Sequence, residues 1–127
     1  MSMSESRMQR DSKQHRRDVL EHMHRELATA RISADPWRHL ARAHILSQPW
    51  AWPHTKVHAA MCRQALGDRD VREVMGQLLR LGAAGPGSLV GKYPAGNTGR
   101  ATMGLMTTAD VPADLEVILA RDAGEVA

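Results

Sequence analysis

The sequence predicts an all-α protein, a compact bundle of two αα-hairpins followed by a long Gly-rich segment and a short C-terminal helix. Three observations support this prediction. Apolar residues recur at helical spacing through most of residues 15–82. Proline start signals and glycine stop signals separate these stretches from one another. Residues 83–111, in contrast, show neither a helical period nor a long alternation of apolar and polar residues.

The first hairpin is predicted from two helical stretches. Residues 1–14 are polar and rich in Ser, Arg and Gln, so we expect a disordered N-terminal tail that is not a secretory signal. Residues 15–31 form the first helix because their apolar residues repeat at helical spacing. Asp35 caps the second helix and Pro36 begins it, and this helix ends near Ser47.

The second hairpin is predicted from the same kinds of helix start and stop signals. Pro53 begins a third helix that Gly67 stops, and a fourth helix runs from about Arg69 to about Gly82. The second and fourth helices are offset by about 34 residues, which gives the pair of hairpins a tetratricopeptide-like character. The fourth helix has the clearest amphipathic stripe, which we expect to face the core and which consists of Val71, Val74, Met75, Leu78 and Leu79.

The C-terminal part completes a single helical domain, which we place at residues 15–121. The Gly-rich segment, 83–111, is expected to lie as a loop on the helices. A last helix spans residues 112–121, and residues 122–127 form a tail. The apolar residues expected to dock this helix are Val111, Leu115, Ile118 and Leu119.

Charge and composition narrow the functional classes. The formal net charge is +3, and the basic residues are spread along the chain without a dense cluster, so no nucleic-acid partner is expected. No apolar run approaches the length of a membrane span. The single cysteine, Cys62, rules out an internal disulfide and fits a reducing compartment. We therefore expect a cytoplasmic protein.

Three histidines and three tryptophans cluster near the middle of the chain and mark the candidate site. His54 and His58 are one helical turn apart, so both rings can chelate one ion, and His44 faces inward from the neighbouring helix. Imidazole nitrogen suits Zn, Cu, Ni and Fe, and a carboxylate from the first helix, Glu26, is the candidate fourth ligand. The alternative is that these histidines form ordinary hydrogen bonds or lie on the surface.

Other motifs are weaker candidates for a functional site than the histidines. Cys62 lies one turn beyond the last of these histidines and is interpreted as a core residue. Glu21 and His24 form one E-x-x-H pair, whereas a di-iron bundle needs two such pairs. Residues 87–92 lack the spacing and the Ser or Thr of a phosphate loop. Residues 96–99, Gly-Asn-Thr-Gly, are either a structural turn or a backbone anion site.

Several motifs occur together as in a known family: AHILSQ and WPH-x3-H, then RDVREVMGQLLRL, then GSLVG and GNTGRA, then a Pro-Ala-Asp-Leu end. In this combination, the chain over about residues 20–119 resembles an uncharacterised bacterial family of short cytoplasmic proteins. The resemblance implies a helical, tetratricopeptide-like fold and genes that lie near heavy-metal resistance or mobile elements. Cys62 departs from the apolar residue of the family. The matching positions are His44, Gln48, Trp52, His54, His58, Asp70, Glu73, Gln77, Pro94, Gly96, Asn97, Thr98 and Gly99.

Two functional hypotheses follow. The first is a small metal-binding protein, either an accessory of metal handling or a metalloenzyme, in which the Gly-rich segment covers the site. The second is a tetratricopeptide-like module that binds a protein partner and in which the histidines bond backbone carbonyls. The first requires the three imidazoles to converge, and the second requires an exposed apolar patch.

Overall fold

The computed structural model describes residues 2–89, 95–104 and 108–120. It contains five helices: α1 (Met3–Ala30), α2 (Pro36–Ser47), α3 (Ala51–Gly67), α4 (Val71–Leu89) and α5 (Ala113–Ala120). These described residues contain no β-strand, so the all-α prediction is confirmed. The predicted tail, 122–127, and the family position Pro94 lie outside the described residues.

The N-terminal helix begins twelve residues earlier than predicted, at Met3 instead of residue 15. Its start is a capping box. The Ser2 hydroxyl accepts a hydrogen bond from the Glu5 N–H at 3.2 Å, and the Glu5 carboxylate accepts one from the Ser2 N–H at 2.7 Å. The expectation of a disordered tail over residues 1–14 rested on polar composition, which does not register such a cap.

The second and third helices begin near their predicted positions. The Asp35 carboxylate accepts a hydrogen bond from the Arg38 N–H at 3.3 Å, and Pro36 is the first helical residue, as predicted. The third helix begins at Ala51, two residues before Pro53. Proline is tolerated there because the N–H groups of a first helical turn have no partner within the helix.

The reversal between α3 and α4 is made by Arg69 and not by Gly67. Gly67 is the last helical residue, whereas Arg69 adopts the left-handed conformation with φ of 56°. The Asp70 N–H donates back to the Ala65 carbonyl at 3.0 Å, which closes the end of α3. This tight reversal returns α4 along α3.

The helices pack in sequence order. The closest pairs are α1 with α2 and α3 with α4, while α2 also packs against α3 and α5 rests on α2. The assignment of these pairs as tetratricopeptide repeats stays a prediction. No helix in the described part of the chain combines the length and apolar character that a bilayer crossing requires. The buried core consists of Val19, Met23, Ala30, Leu40, Ala43, Ile45, Leu46, Val57, Met61 and Leu115.

The fourth helix has the opposite orientation from the one its pattern predicts. The apolar residues Val71, Met75, Leu78 and Leu79 are exposed, so the prediction that they face the core was wrong. The buried face is polar instead and carries Glu73, Gln77 and Arg80. The polar face turns inward because its side chains have hydrogen-bond partners there, which are described below.

The fourth helix also extends beyond its predicted end at Gly82 and reaches Leu89. It thus includes Pro86 and the first part of the segment predicted as a loop, 83–111. A proline within a helix removes one backbone hydrogen bond, but its fixed φ is itself helical. Residues 95–104 follow as irregular chain. The remaining parts of the segment, 90–94 and 105–107, lie outside the described residues.

Candidate metal centre

Three histidine rings from two helices converge in the protein interior. His44 lies in the last turn of α2, and His54 and His58 lie one turn apart on α3. The Nε2 atom of His44 is 3.0 Å from that of His58 and 2.9 Å from that of His54, and the third Nε2–Nε2 distance is 3.2 Å. All three side chains are buried. The prediction that these imidazoles converge is therefore confirmed, and they lie within the distance needed to hold a metal ion.

The size of this nitrogen triangle fits a metal site. A tetrahedral ion bound at about 2.0–2.1 Å holds its ligand nitrogens about 3.3 Å apart, and an octahedral ion holds neighbouring nitrogens about 2.9 Å apart. The observed edges, from 2.9 to 3.2 Å, lie between these values. Only small movements of the rings are needed to bind an ion at normal bond lengths.

The side chain of Gln77 fixes the orientation of the His58 ring. The Gln77 amide nitrogen donates to the Glu73 carboxylate at 2.9 Å and to the Gly99 carbonyl at 2.7 Å. Since both partners only accept, the amide oxygen must point the other way, where it lies 2.7 Å from Nδ1 of His58. His58 consequently carries its proton on Nδ1 and presents the lone pair of Nε2 to the cluster.

The same arrangement holds at His44. Its Nδ1 lies 2.6 Å from the backbone carbonyl oxygen of Asn97, which can only accept. The proton of the neutral ring is therefore on Nδ1, and its Nε2 also presents a lone pair. The contact at 3.0 Å between Nε2 of His44 and Nε2 of His58 thus joins two acceptors. Such an outer hydrogen bond is the usual support of a metal-bound histidine.

Protons do not relieve this contact near neutral pH. Burial lowers the pKa of His44 well below its usual value, and the neighbouring His58 and His54 lower it further. Burial also lowers the pKa of His58, to about 4. Both rings stay neutral, so His54 alone can supply an Nε2 proton, and one proton cannot serve three contacts. A cation at the centre satisfies all three lone pairs.

A buried carboxylate completes the polar network behind the histidines. Glu73 accepts from Gln77 and from the Ala101 N–H, whose distances to the two carboxylate oxygens are 3.0 and 3.2 Å. Arg100 forms an ion pair with it at 3.2 Å. The backbone of Glu73 is held as well, because its N–H donates to Asp70 at the start of α4. The charge of Glu73 is thus fully partnered.

Residues 96–99 form a structural turn that covers His44. The backbone N–H groups of Gly99 and Thr98 are used within the segment, by the Asn97 side chain at 2.9 Å and the Met103 sulfur at 3.4 Å. Gly99 has φ of +79°, and a Cβ atom there would lie 2.6 Å from the His44 ring. Only glycine fits this position without strain. The fit favours the structural turn over the anion site.

Glu26 and Cys62 lie outside the cluster. Glu26, the candidate fourth ligand, accepts from His39 at 2.7 Å and from Arg42 at 2.8 Å, and Arg42 also pairs with Asp114. The carboxylate is therefore engaged by two side chains of α2. Among the described residues, the group of ligand atoms close enough for one ion contains the three histidines without Glu26 or Cys62.

The supporting residues were missed by spacing arguments. Glu73, Gln77 and Asn97 are family positions without a role inferred from the sequence, and the structure places them around the histidines. A signal for two of them was present, since Glu73, Gln77 and Arg80 repeat at i, i+4 and i+7 and form one polar face of α4. No local pattern indicates that residue 97 reaches His44.

The fold and the site together define a small all-α protein with a buried cluster of three histidines that has the spacing of metal ligands. The chain belongs to the family described as protein of unknown function (DUF3703), which matches residues 10–119. The resemblance to an uncharacterised family, inferred over about 20–119, is thereby confirmed. No curated protein and no solved structure matches the chain. The bacterial origin and gene neighbourhood that the resemblance implies stay predictions.

Proposed function

We propose that this protein binds one transition-metal ion through His44, His54 and His58 as an accessory of metal handling. The observation that carries the proposal is the convergence of three Nε2 atoms within 2.9–3.2 Å of one another. His44 and His58 each use Nδ1 for a hydrogen bond to an oxygen outside the cluster, so each directs the lone pair of Nε2, and not a proton, to the centre. Without a cation, this arrangement of buried acceptors is unfavourable.

The donor set indicates the class of ion. Three neutral imidazole nitrogens suit Zn, Cu, Ni or Fe, whereas Ca and Mg prefer carboxylate and carbonyl oxygens. A role in metal handling is favoured because the ligand rings are buried and the segment at residues 96–99 covers His44. Such packing slows the exchange of a bound ion, which suits a protein that retains metal.

The test is elemental analysis of the tag-free protein beside His54→Ala/His58→Ala. We expect about one equivalent of metal in the wild type and its loss in the variant. The matched control is His22→Ala/His24→Ala, which removes two histidines of α1 outside the cluster and should keep the metal. Equal metal content in the wild type and the cluster variant would contradict the proposal, as would a folded wild type that takes up no metal on reconstitution.

A second candidate function, binding of a protein partner, is favoured by the exposed apolar face of α4. Val71, Met75, Leu78 and Leu79 follow one another along one side of the helix and are each at least half exposed. Contiguous apolar surface of this kind marks interaction sites. Met75→Glu/Leu79→Glu should abolish partner capture from a lysate of the source cells and leave the metal content unchanged. Capture of the same proteins by both forms would contradict this candidate.

A further inference from the structure

We infer that the ion in this site takes a small exchangeable anion as its fourth ligand instead of a protein side chain. The inference rests on the proposed metal site and extends it to the ligand class that the bound ion recognises. Three features support it: the shape of the nitrogen triangle, the engagement of the nearby carboxylates, and the charge balance around the histidines.

The nitrogen triangle is too small for an ion in its plane. Planar three-fold binding at about 2.0 Å requires nitrogens about 3.5 Å apart, whereas the observed edges are 2.9, 3.0 and 3.2 Å. At normal bond lengths the ion therefore lies about 1 Å to one side of the plane. The three histidines cap one face of the ion, and its opposite face is directed away from them.

The described carboxylates near the site are committed to other partners. Glu73 accepts from Gln77 and Ala101 and pairs with Arg100. Glu26 is engaged by His39 and Arg42. Within the described residues, no Cys, Asp or Glu joins the three histidines in a group that could hold an ion. The fourth ligand is thus expected to come from solution.

Charge balance indicates that this ligand is an anion. Three imidazoles that are neutral contribute no negative charge, and the charge of Glu73 is offset by its ion pair with Arg100. Arg80 is a further buried cation on the same face of α4, and its guanidinium donates to the Met103 carbonyl. A divalent ion would add two positive charges to this interior, where unbalanced charge is costly. An anionic ligand removes one of them.

The size of the ligand is limited by burial. His54 is the most exposed of the three histidines, at only 7%, so the centre admits a small ligand at most. Small anions such as azide, thiocyanate or halide fit this restriction better than extended substrates. The same position is the one that metalloenzymes leave open for reactants.

The experiment uses the full chain loaded with Co(II), whose visible absorption reports its ligands. We expect a cobalt band that is lost in His54→Ala/His58→Ala and that shifts saturably, along a single-site isotherm, as azide is added. Glu26→Gln should keep this azide response, because Glu26 is engaged by His39 and Arg42 and is not a ligand. Because this substitution leaves the three histidines in place, it still tests the azide response if His54→Ala/His58→Ala folds poorly.

The possible failures are distinct. A cobalt band that the histidine variant retains, or a folded wild type that takes up none of Co(II), Zn(II), Ni(II) and Cu(I), would overturn the proposed metal site itself. A histidine-dependent band that azide leaves unchanged would overturn the anion position alone and would point to a protein fourth ligand. Loss of the azide response in Glu26→Gln would identify Glu26 as the fourth ligand and would also overturn the inference. Binding of Cu(I) without Co(II) would contradict it as well, because a monovalent ion needs no anion for balance.

Discussion

At the scale of single residues, the site is determined less by its ligands than by the groups that orient them. Gln77 shows this most clearly, since its amide bonds His58, Glu73 and Gly99 at once. A histidine alone can rotate its ring and exchange its tautomer, but these bonds leave His58 one arrangement. The orientation of the His58 ring thus depends on a residue 19 positions away in the sequence.

Removal of this amide should weaken metal binding without removing a ligand. We predict that Gln77→Ala lowers metal affinity about 10- to 100-fold, as for other outer partners of metal-bound histidines. The control is Gln64→Ala, which removes a helical glutamine whose amide pairs with the exposed Asp68. Competition with a chromophoric chelator measures both affinities. Equal affinity for the wild type and Gln77→Ala would show that the ring needs no such support.

A pair of glycines tests the close fit over His44. Gly99→Ala should destabilise the protein, because the residue has φ of +79° and its Cβ would lie 2.6 Å from the ring of His44. Gly82→Ala should instead stabilise it by about 0.5–1 kcal/mol, since Gly82 is helical and nothing lies within 4 Å of its Cβ position. Urea unfolding measures both changes. A Gly99→Ala protein as stable as the wild type would show that the turn can move off the histidine.

At the scale of helices, α4 shows that an amphipathic pattern does not by itself determine which face of a helix is buried. The free energy of unfolding should respond little to Leu79→Ser, because Leu79 is 69% exposed, with an expected change within about 0.5 kcal/mol. Leu46→Ala, at a fully buried position of α2, should cost about 2–5 kcal/mol. Chemical denaturation of the two variants compares them directly. A large loss of stability in Leu79→Ser would place this face in contact with another surface, such as a second copy of the chain.

Helix positions were largely predictable from the sequence, whereas helix orientation was not always predictable. Asp35 and Pro36 act locally, so the start of α2 follows from the sequence alone. Leu78 and Leu79 also form a clear stripe, but the face that turns inward depends on partners in other segments. Glu73 and Gln77 find those partners at Ala101, His58 and Gly99, which no local pattern could indicate.

The candidate site also combines residues that local spacing predicted with residues whose role depends on packing. The spacing of His54 and His58 predicted a shared helical face, and the inward orientation of His44 followed from the period of α2. Glu26 was assigned by helix proximity, and its partners His39 and Arg42 on α2 could not be inferred without the packing. Sequence reasoning therefore identified the three converging histidines and missed the network that holds them.

At the scale of the whole molecule, the buried histidines tie stability to pH. Burial lowers the pKa values of His44 and His58 in the folded state, so the unfolded chain binds more protons below the usual value of 6.5. Stability is thus fully present above about pH 6.5. It is lost as the pH falls toward the folded pKa of His58, about 4. The expected slope is about 1.4 kcal/mol per pH unit for each histidine that charges on unfolding.

Urea denaturation of the metal-free protein between pH 7.5 and pH 4.5 measures this slope. His54→Leu/His58→Leu should be less sensitive over the range, because fewer rings gain a proton on unfolding. Carboxylate protonation affects both proteins, so the difference between their slopes isolates the histidines. Parallel curves for the two proteins would contradict the prediction.

The contact between His44 and Asn97 joins residues 53 positions apart, whereas His54 and His58 are separated by four. Closing the longer loop costs more chain entropy, so the helical pair forms early and the complete site forms late in folding. During synthesis, Asn97 also leaves the ribosome after all three histidines. In a nascent chain that binds the proposed ion, His54 and His58 would therefore be paired before His44 is oriented, and early metal capture would be weak and reversible. Selection among competing ions would then be deferred until the fold is nearly complete.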